Sequence, residues 1–290
     1  MATITADTVA SVSLNDADRE PDSFAEKLGR SFEEYGFAII ADHGIPDELI
    51  HDAEEKAKAF FALPEEVKRK YHIAGGGGAR GYTPFGIETA KGAQAFDLKE
   101  FWHVGRELAA GHPFRDHMGD NVWPEELPGF KDTFLKLFET FDRTGLKILK
   151  AIARFLKIDE DYFIDTVRDG NSVLRLLHYP PIQGEPGSNV RAGAHEDINT
   201  ITLLLGAEEA GLELLTRDGR WVAVSASSLS VAQRVLTLVG HPEVTEQPWF
   251  RSAGERTVAT VSIHVRAPSM IVPMAAASSG EKAGRPGTSR

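Results

Sequence analysis

The sequence predicts an α+β fold, with helices in the first part of the chain and antiparallel strands in the second. Two observations support this prediction. Apolar residues recur at helical spacing in three segments before about residue 156, whereas beyond Asn171 they follow strand-like periods. In addition, Asp218-Gly219 is a typical hairpin turn between two of the later apolar runs. Helices followed by neighbouring antiparallel strands are typical of the α+β class.

The first part of the chain contains three long predicted helices and a short one, which Pro64 can start and which runs through Val67 to Tyr71. Asp22 or Ser23 can cap the first, whose apolar side chains have helical spacing, and Gly36 ends it. Pro46 suits the first turn of the second helix. The third and longest runs from about residue 130 to 156. Its stripe of phenylalanine and leucine side chains indicates a helix that packs against the core.

Strands are predicted wherever short apolar runs are bounded by turn residues. The two ends of the chain lack such patterns. Residues 1–20 are predicted to be a flexible lead-in, and residues 275–290, rich in Ala, Ser, Gly and Arg, a disordered tail. The predicted strands comprise residues 37–40, 173–179, 198–205, 212–216 and 221–224.

The composition restricts the possible functions. Of 290 residues, 42% are hydrophobic and 26% are charged, as in ordinary globular proteins. The net charge of −11 argues against binding to a nucleic-acid backbone, and no apolar run is long enough to cross a bilayer. The absence of cysteine excludes disulfides and Cys-ligated metals, so any metal must be held by His, Asp and Glu. We therefore expect a cytoplasmic protein without nucleic-acid or membrane partners; its oligomeric state is left open.

The segment Gly193-Ala194-His195-Glu196-Asp197, between two predicted strands, is the strongest local indication of chemistry. In an extended segment residues i and i+2 point to the same face, so His195 and Asp197 can reach one metal ion, whereas Glu196 points the other way. A second histidine from a distant strand would complete the two-histidine, one-carboxylate ligand set of non-haem iron enzymes. Because His-x-Asp also occurs by chance, a solvated loop is the alternative for this segment taken alone.

Several further motifs stand in a fixed order around this segment. They are Ser31-Phe32-Glu33-Glu34-Tyr35-Gly36-Phe37, Asp42-His43-Gly44-Ile45-Pro46, Phe60-Phe61-Ala62-Leu63-Pro64, Arg80-Gly81-Tyr82, Asp97-Leu98-Lys99-Glu100-Phe101-Trp102, Arg175-Leu176-Leu177-His178-Tyr179-Pro180-Pro181, Ile201-Thr202-Leu203-Leu204-Leu205 and Gly211-Leu212-Glu213-Leu214. In this order, over residues 22–224, the chain resembles the isopenicillin N synthase-like family of Fe(II)- and 2-oxoglutarate-dependent oxygenases.

The resemblance implies a double-stranded β-helix (jelly-roll) core with flanking helices. Residues 21–165 would form a helical cap region and residues 170–274 the oxygenase core. This core is atypical after residue 225, and its C-terminal part would be incomplete if strands are missing there.

The resemblance also implies Fe²⁺ as the cofactor and 2-oxoglutarate as the cosubstrate. His195 and Asp197 would be iron ligands, and Tyr179 would place its hydroxyl near the distal carboxylate of 2-oxoglutarate. The alternative for Tyr179 is a strand-end aromatic ring that packs on Pro180. A small organic substrate would be oxidised with O₂, and succinate and CO₂ would be released.

After Val224 the sequence departs from the family pattern, which continues with a second metal histidine and an Arg-x-Ser motif for the cosubstrate carboxylate. Residues 227–240 have the apolar spacing of a helix instead. His264 lies in an alternating, strand-like run and is predicted as the third ligand. His241, which follows the predicted helix and precedes a proline, is the less favoured candidate. No Arg-x-Ser follows either histidine, and Arg266 is the nearest substitute for its arginine.

Residues 240–256 resemble a short piece of a family III CoA-transferase. This leaves two alternatives for the C-terminal third: an evolved half of the oxygenase core, or a fused or frame-shifted segment. Two functional alternatives to the oxygenase also remain. One is a catalytically silent or truncated family member without a complete iron site, and the other is an oxidase on the same fold that does not use 2-oxoglutarate.

Overall fold

The computed structural model describes residues 11–88, 96–181, 197 and 199–205, together with the backbones of three strands at 212–215, 221–224 and 263–264. Within these residues, helices come with two antiparallel sheets and one short parallel pair of strands, which agrees with the α+β class. Closure of a jelly-roll stays a prediction, because it requires strands from residues 225–262, which lie outside the described residues.

The helices of the described residues include the three long helices that the sequence predicts before residue 156, and α4 lies within the short one predicted after Pro64. The predicted helices are confirmed as α2, α3 and α5, and the left-handed conformation of Gly36, with φ of 69°, ends α2. The predicted cap at Asp22 or Ser23 is wrong, because α2 already begins at Pro21 and both residues lie in its first turn. The helices are α1 (Asp16–Arg19), α2 (Pro21–Tyr35), α3 (Asp47–Phe61), α4 (Glu65–Lys68), α5 (Phe130–Phe155) and α6 (Tyr162–Val167).

The strands of the described residues form three sheets. β1 and β2 pair in parallel, β6 and β7 form the predicted hairpin, and β3, β4, β5 and β8 form an antiparallel sheet in that order. The strands are β1 (Ser11–Ser13), β2 (Ile39–Ala41), β3 (Gly81–Thr83), β4 (Glu100–Gly105), β5 (Val173–His178), β6 (Leu212–Leu215), β7 (Trp221–Val224) and β8 (Ile263–His264).

Two of the sequence predictions are wrong in part. The flexible lead-in predicted for residues 1–20 does not hold from residue 11 onward, because β1 pairs with β2 and buries Val12 and Leu14 in the core. The strand predicted at 198–205 is also not formed by residues 199–205. There the side-chain amide of Asn199 donates to the carbonyl oxygen of Ile201 at 2.7 Å, which gives the backbone an alternative to strand pairing.

The long helix α5 lies between two hydrophobic clusters. One of its sides packs against α3 and the sheet, and the other packs against α2 and β1. In the first cluster the Phe60 ring centroid lies 4.6 Å from that of Trp102 and 5.9 Å from that of Phe130. Such aromatic pairs contribute about 1 kcal/mol each beyond the area that they bury. The sheet is therefore held in place by the helical layer.

β4 has two chemically different faces, because alternate residues of a strand point in opposite directions. Trp102 and Val104 are buried in the cluster against α5. Phe101 and His103 lie on the opposite face, where β5 places Arg175 directly across from His103. The face away from α5 is called the second face below. Its polar side chains are not needed for the helical core, so they are available for a site.

Gly81 occupies a position that only glycine suits. Its φ is +68°, and a Cβ atom there would lie 2.5 Å from the Tyr71 carbonyl oxygen and 2.7 Å from Val122 Cγ2. Gly111 also has a positive φ, +81°, but no atom lies within 4 Å of its Cβ position. A comparison of alanine substitutions at Gly81 and Gly111 therefore distinguishes the cost of backbone strain from the cost of steric overlap.

We expect Gly111→Ala to lower the free energy of unfolding by about 1 kcal/mol through backbone strain alone. Gly81→Ala should cost roughly 2 kcal/mol more, because the overlap with Tyr71 is added to the strain. Urea unfolding of both variants measures the difference. Equal losses would show that the backbone around Gly81 shifts to accommodate the methyl group.

Within the described part of the chain, no helix combines the length and the apolar character that a bilayer crossing requires.

Candidate active site

Asp197 is the predicted iron ligand whose surroundings the structure describes. Its Oδ2 accepts a hydrogen bond from the hydroxyl of Thr202, and Thr202 Oγ1 in turn accepts one from the side-chain amide of Asn199 at 2.7 Å. The residue remains exposed. Metal-binding side chains are commonly oriented by such outer hydrogen bonds. The carboxylate of Asp197 therefore fits the role of a ligand to Fe²⁺.

The other predicted ligands are described less fully. His195, like His241 and Arg266, lies outside the described residues. His264 is described only as a backbone position in β8, where it pairs with Val173 at the beginning of β5. Among the residues that the structure describes, no three His, Asp or Glu side chains are grouped around one metal position. The complete ligand set thus stays a prediction.

Tyr179 directly follows β5 and is half-buried. Burial raises the pKa of its hydroxyl, so the group stays protonated at neutral pH and can donate a hydrogen bond. The cations of Lys99 and Arg175 are close enough to act on this hydroxyl electrostatically. A protonated hydroxyl near two cations suits a carboxylate ligand, which is the role that the family resemblance implies for Tyr179.

These two cations belong to a charge-balanced cluster of four side chains. Lys99 Nζ lies 2.8 Å from Asp97 Oδ2 and 2.7 Å from Glu88 Oε2. Arg175 Nη2 lies 3.1 Å from each carboxylate oxygen of Glu88. Burial acts to lower the pKa of Lys99, but its two acidic partners outweigh burial and raise it. The cluster joins the beginning of β4 to β5 and fixes the second face beside Tyr179.

A second network lies on the face of the sheet that is turned toward α5. Glu100 Oε2 is 2.7 Å from Lys68 Nζ and accepts the hydroxyl hydrogen of Tyr82, while Oε1 is 2.7 Å from His178 Nδ1. Burial alone would raise the pKa of this carboxyl, but its three partners outweigh burial and lower the pKa to about 2. The His178 ring also stacks on Phe61, with centroids 5.0 Å apart. This network fixes the residue that precedes Tyr179.

The structure does not bring His264 and Tyr179 to the same end of β5. His264 pairs with Val173, whereas Tyr179 follows the opposite end of the strand. The six residue steps from Val173 to Tyr179 span roughly 20 Å at about 3.3 Å per residue. This separation is much longer than a 2-oxoglutarate molecule, so a single cosubstrate bound at Tyr179 would not reach a metal beside the His264 backbone.

Two family models match this chain. The N-terminal model of a non-haem dioxygenase in morphine synthesis matches residues 9–126, and the 2OG-Fe(II) oxygenase superfamily model matches residues 170–240. Proline hydroxylase buaE of Petromyces alliaceus is 33% identical over 73% of this chain and 68% of its own length. The chain belongs to the 2OG-Fe(II) oxygenase superfamily. The enzyme class, Fe²⁺ and 2-oxoglutarate expected from the sequence are thereby confirmed at the level of the family.

Solved structures of this superfamily agree with the assignment. A 2OG-Fe(II) oxygenase family protein of Caulobacter crescentus is 55% identical, with a TM-score of 0.68 over 75% of this chain and 70% of the other. A Neurospora crassa protein, solved in complex with alpha-KG and 5-formyluracil, is 28% identical, with a TM-score of 0.62 over 74% of this chain and 67% of the other. This chain spans a smaller share of several other curated relatives, for example 59% of the length of two of them.

The match to the oxygenase extends further than the sequence motifs indicate. The motifs carry the resemblance as far as residue 224, whereas the superfamily model continues to residue 240. The interval contains the helix predicted for residues 227–240, which lies outside the described residues. The resemblance of residues 240–256 to a CoA-transferase stays untested.

The buried and half-buried charges around the site have no role predicted from the sequence. Lys99, Glu100 and Arg175 occur in quoted motifs, whereas Lys68 and Glu88 lie outside them. A signal was present in the motif that contains Lys99 and Glu100, because acidic and basic residues adjoin an apolar strand, where unpaired charges are costly. Their partners could not be identified, because the pairs lie far apart in sequence.

Proposed function

We propose that this chain oxidises a small organic substrate with O₂ and 2-oxoglutarate, and releases succinate and CO₂. Fe²⁺, when bound, supplies open coordination positions at which the 2-oxo acid and O₂ react. The observation that carries the proposal is the carboxylate of Asp197, exposed and oriented by Thr202, within a segment that matches the oxygenase superfamily.

The ligand set that we propose is His195, Asp197 and His264. The i, i+2 spacing of the first two supports their common orientation in an extended segment. We propose His264 because it lies in β8, a strand of the four-stranded sheet. The second histidine ligand is expected to come from such a strand, distant in sequence from Asp197. Because His264 pairs with Val173 and Tyr179 follows the opposite end of β5, His264 as third ligand and a 2-oxoglutarate molecule bound at Tyr179 exclude each other. If Tyr179 binds the cosubstrate, His241 takes the place of His264.

Binding of 2-oxoglutarate is assigned to Tyr179 and Arg266. The half-buried, protonated hydroxyl of Tyr179 can donate to the distal carboxylate, and the Lys99–Glu88–Arg175–Asp97 cluster keeps the surrounding wall rigid. The arginine at 266 would supply the positive charge that the family's Arg-x-Ser motif supplies.

The substrate is proposed to be a small polar molecule. Support comes from the relatives, since one is a proline hydroxylase and another was solved with 5-formyluracil. The reaction type, whether hydroxylation, desaturation or cyclisation, depends on residues that contact the substrate, and membership of the superfamily does not determine these residues.

Anaerobic titration of the purified protein with Fe²⁺ and 2-oxoglutarate tests the proposal. We expect the weak visible charge-transfer band of an iron–2-oxo acid chelate in the wild type. Tyr179→Phe should keep the band but weaken 2-oxoglutarate binding about 10-fold, because it removes one hydrogen bond to a charged group. The same substitution should leave binding of 2-oxopentanoate unchanged, because this analogue has a methyl group in place of the distal carboxylate.

A catalytically silent member of the superfamily is the second candidate. The end of the superfamily match at residue 240 and the distance between His264 and Tyr179 along β5 favour it. A folded protein that gives no chelate band would support this candidate and contradict the first. Oxygen consumption without any 2-oxo acid would instead indicate an oxidase.

A further inference from the structure

Arg80 is a buried cation immediately before β3. The residue is only 3% exposed, and its guanidinium lies flat against the backbone of Gly105, where a Cβ atom would overlap it. Its Nη1 donates to the carbonyl oxygen of Ala79 at 2.7 Å, and its Nη2 donates to Asn171 Oδ1 at 2.9 Å. Both acceptors are neutral, so neither compensates the positive charge.

No carboxylate in the described part of the chain forms an ion pair with Arg80. The neighbouring arginines differ in this respect. Arg106 Nη2 lies 2.9 Å from Asp142 Oδ1, and Arg115 Nη2 lies 2.7 Å from Asp120 Oδ1. Buried charges in proteins are normally paired, because removing an ion from water is costly unless an opposite charge replaces the water.

Two buried polar atoms in this region, one on Arg80 and one on the residue after Asn171, lack hydrogen-bond partners among the described residues. One is Nε of Arg80 itself, and the other is the hydroxyl oxygen of Ser172, a residue with no exposed surface. Ser172 follows Asn171, the residue to which Arg80 is already bonded. An N–H donor and an O–H donor that are both buried and unsatisfied indicate a missing acceptor.

We propose that Arg80 and Ser172 form a binding site for a small monovalent anion. The Nε–H of Arg80 and the hydroxyl of Ser172 would donate to it. A water molecule could satisfy these hydrogen bonds but would leave the charge of Arg80 uncompensated, whereas an anion satisfies both requirements.

The surroundings limit the size of the ligand. The side chain of Asn121 closes over Gly105 through two hydrogen bonds of 2.8 and 2.9 Å, and a Cβ on Gly119 would lie 3.9 Å from Arg80 Cγ. Because Arg80 and Ser172 are both buried, the ligand that we propose is a chloride-sized ion or a single carboxylate group. The carboxylate could come from a free acid or from the substrate of the enzyme.

Thermal unfolding of the full chain tests the site. Sodium MES, whose anion is too bulky for a buried position, is replaced stepwise at constant ionic strength by chloride, formate or acetate. We expect the Tm of the wild type to rise by about 3 °C and to saturate as the site fills. Arg80→Met should show no such rise. Arg115→Met, which removes a paired and more exposed arginine, should keep it.

The outcomes separate the possible ligands. Similar effects of chloride and acetate indicate a free anion, and a strong preference for carboxylates indicates a site for the substrate's carboxylate. A wild type that responds to no anion, or an Arg80→Met variant that responds equally, overturns the proposal. If Arg80→Met does not fold, chlorine NMR of the wild type replaces it. Line broadening that formate reverses supports the site, and its absence contradicts it.

Discussion

We expect the Asp197→Ala variant to lose the Fe²⁺–2-oxoglutarate charge-transfer band, with Fe²⁺ affinity weakened by more than about 100-fold. Asp197 would be the only anionic ligand, and its removal leaves imidazole donors alone to hold a divalent cation. Anaerobic titration with Fe²⁺ measures the loss. His195→Ala should have a similar effect, because it removes the other ligand of the same segment.

Two further variants provide graded controls for this prediction. Glu196→Ala removes the adjacent carboxylate, which an extended segment directs to the opposite face, and should leave the affinity unchanged. Thr202→Val removes the hydroxyl that donates to Asp197 Oδ2 and should weaken Fe²⁺ binding by roughly 10-fold. The assignment of Asp197 is wrong if its replacement affects the titration no more than that of Glu196.

The second large effect is expected from Glu100→Gln. Glu100 and Lys68 are both buried, and the substitution leaves the ammonium group with only the more distant and more exposed carboxylate of Glu65, at 3.4 Å. Breaking a buried ion pair on one side costs about 3–5 kcal/mol. We therefore expect the free energy of unfolding, measured in urea at pH 7, to fall by about this amount. The Lys68→Met, Glu100→Leu double variant should recover much of the loss, since no charge then remains buried.

Glu100 and its partners His178, Lys68 and Tyr82 also predict a dependence of stability on acid pH. The pKa of Glu100 is about 2 in the folded protein and 4.5 for an ordinary glutamate. Because the folded value is lower, the stabilisation is complete above about pH 4.5 and is lost as the pH falls toward 2. It amounts to about 3 kcal/mol. Subtracting the pH profile of Glu100→Gln from that of the wild type isolates this contribution, and parallel profiles would contradict it.

Local patterns are sufficient to predict the helices. α2, α3 and α5 follow from apolar spacing and from their boundary residues, because the contacts that define a helix lie within a few positions. β5 and the hairpin of β6 and β7 are recognisable in the same way. β3 and β4 were not predicted, since Gly81–Thr83 is short and β4 is recognisable only by its pairing with β5, more than sixty positions further along.

The sequence predicts which residues could form the site, but not which side chains contact one another there. The prediction of His195 and Asp197 as ligands follows from their spacing, whereas the side chains around Tyr179 and Glu100 that pair across the sheet do not follow from any local pattern. The Lys68–Glu100 and Glu100–His178 contacts join positions 32 and 78 residues apart. Arg175 and Glu88 are 87 residues apart. Such pairs are fixed by strand register, which a single sequence does not determine.

The alternation of β4 also limits how this protein can change during evolution. An insertion or deletion of one residue within Glu100–Gly105 would exchange the two faces of the strand. Trp102 would then leave the aromatic cluster, and His103 would enter it, while Glu100 would lose its buried partners. Changes in length are tolerable here only in steps of two residues, so we infer that divergence in this region proceeds by substitution and by changes in the loops on either side.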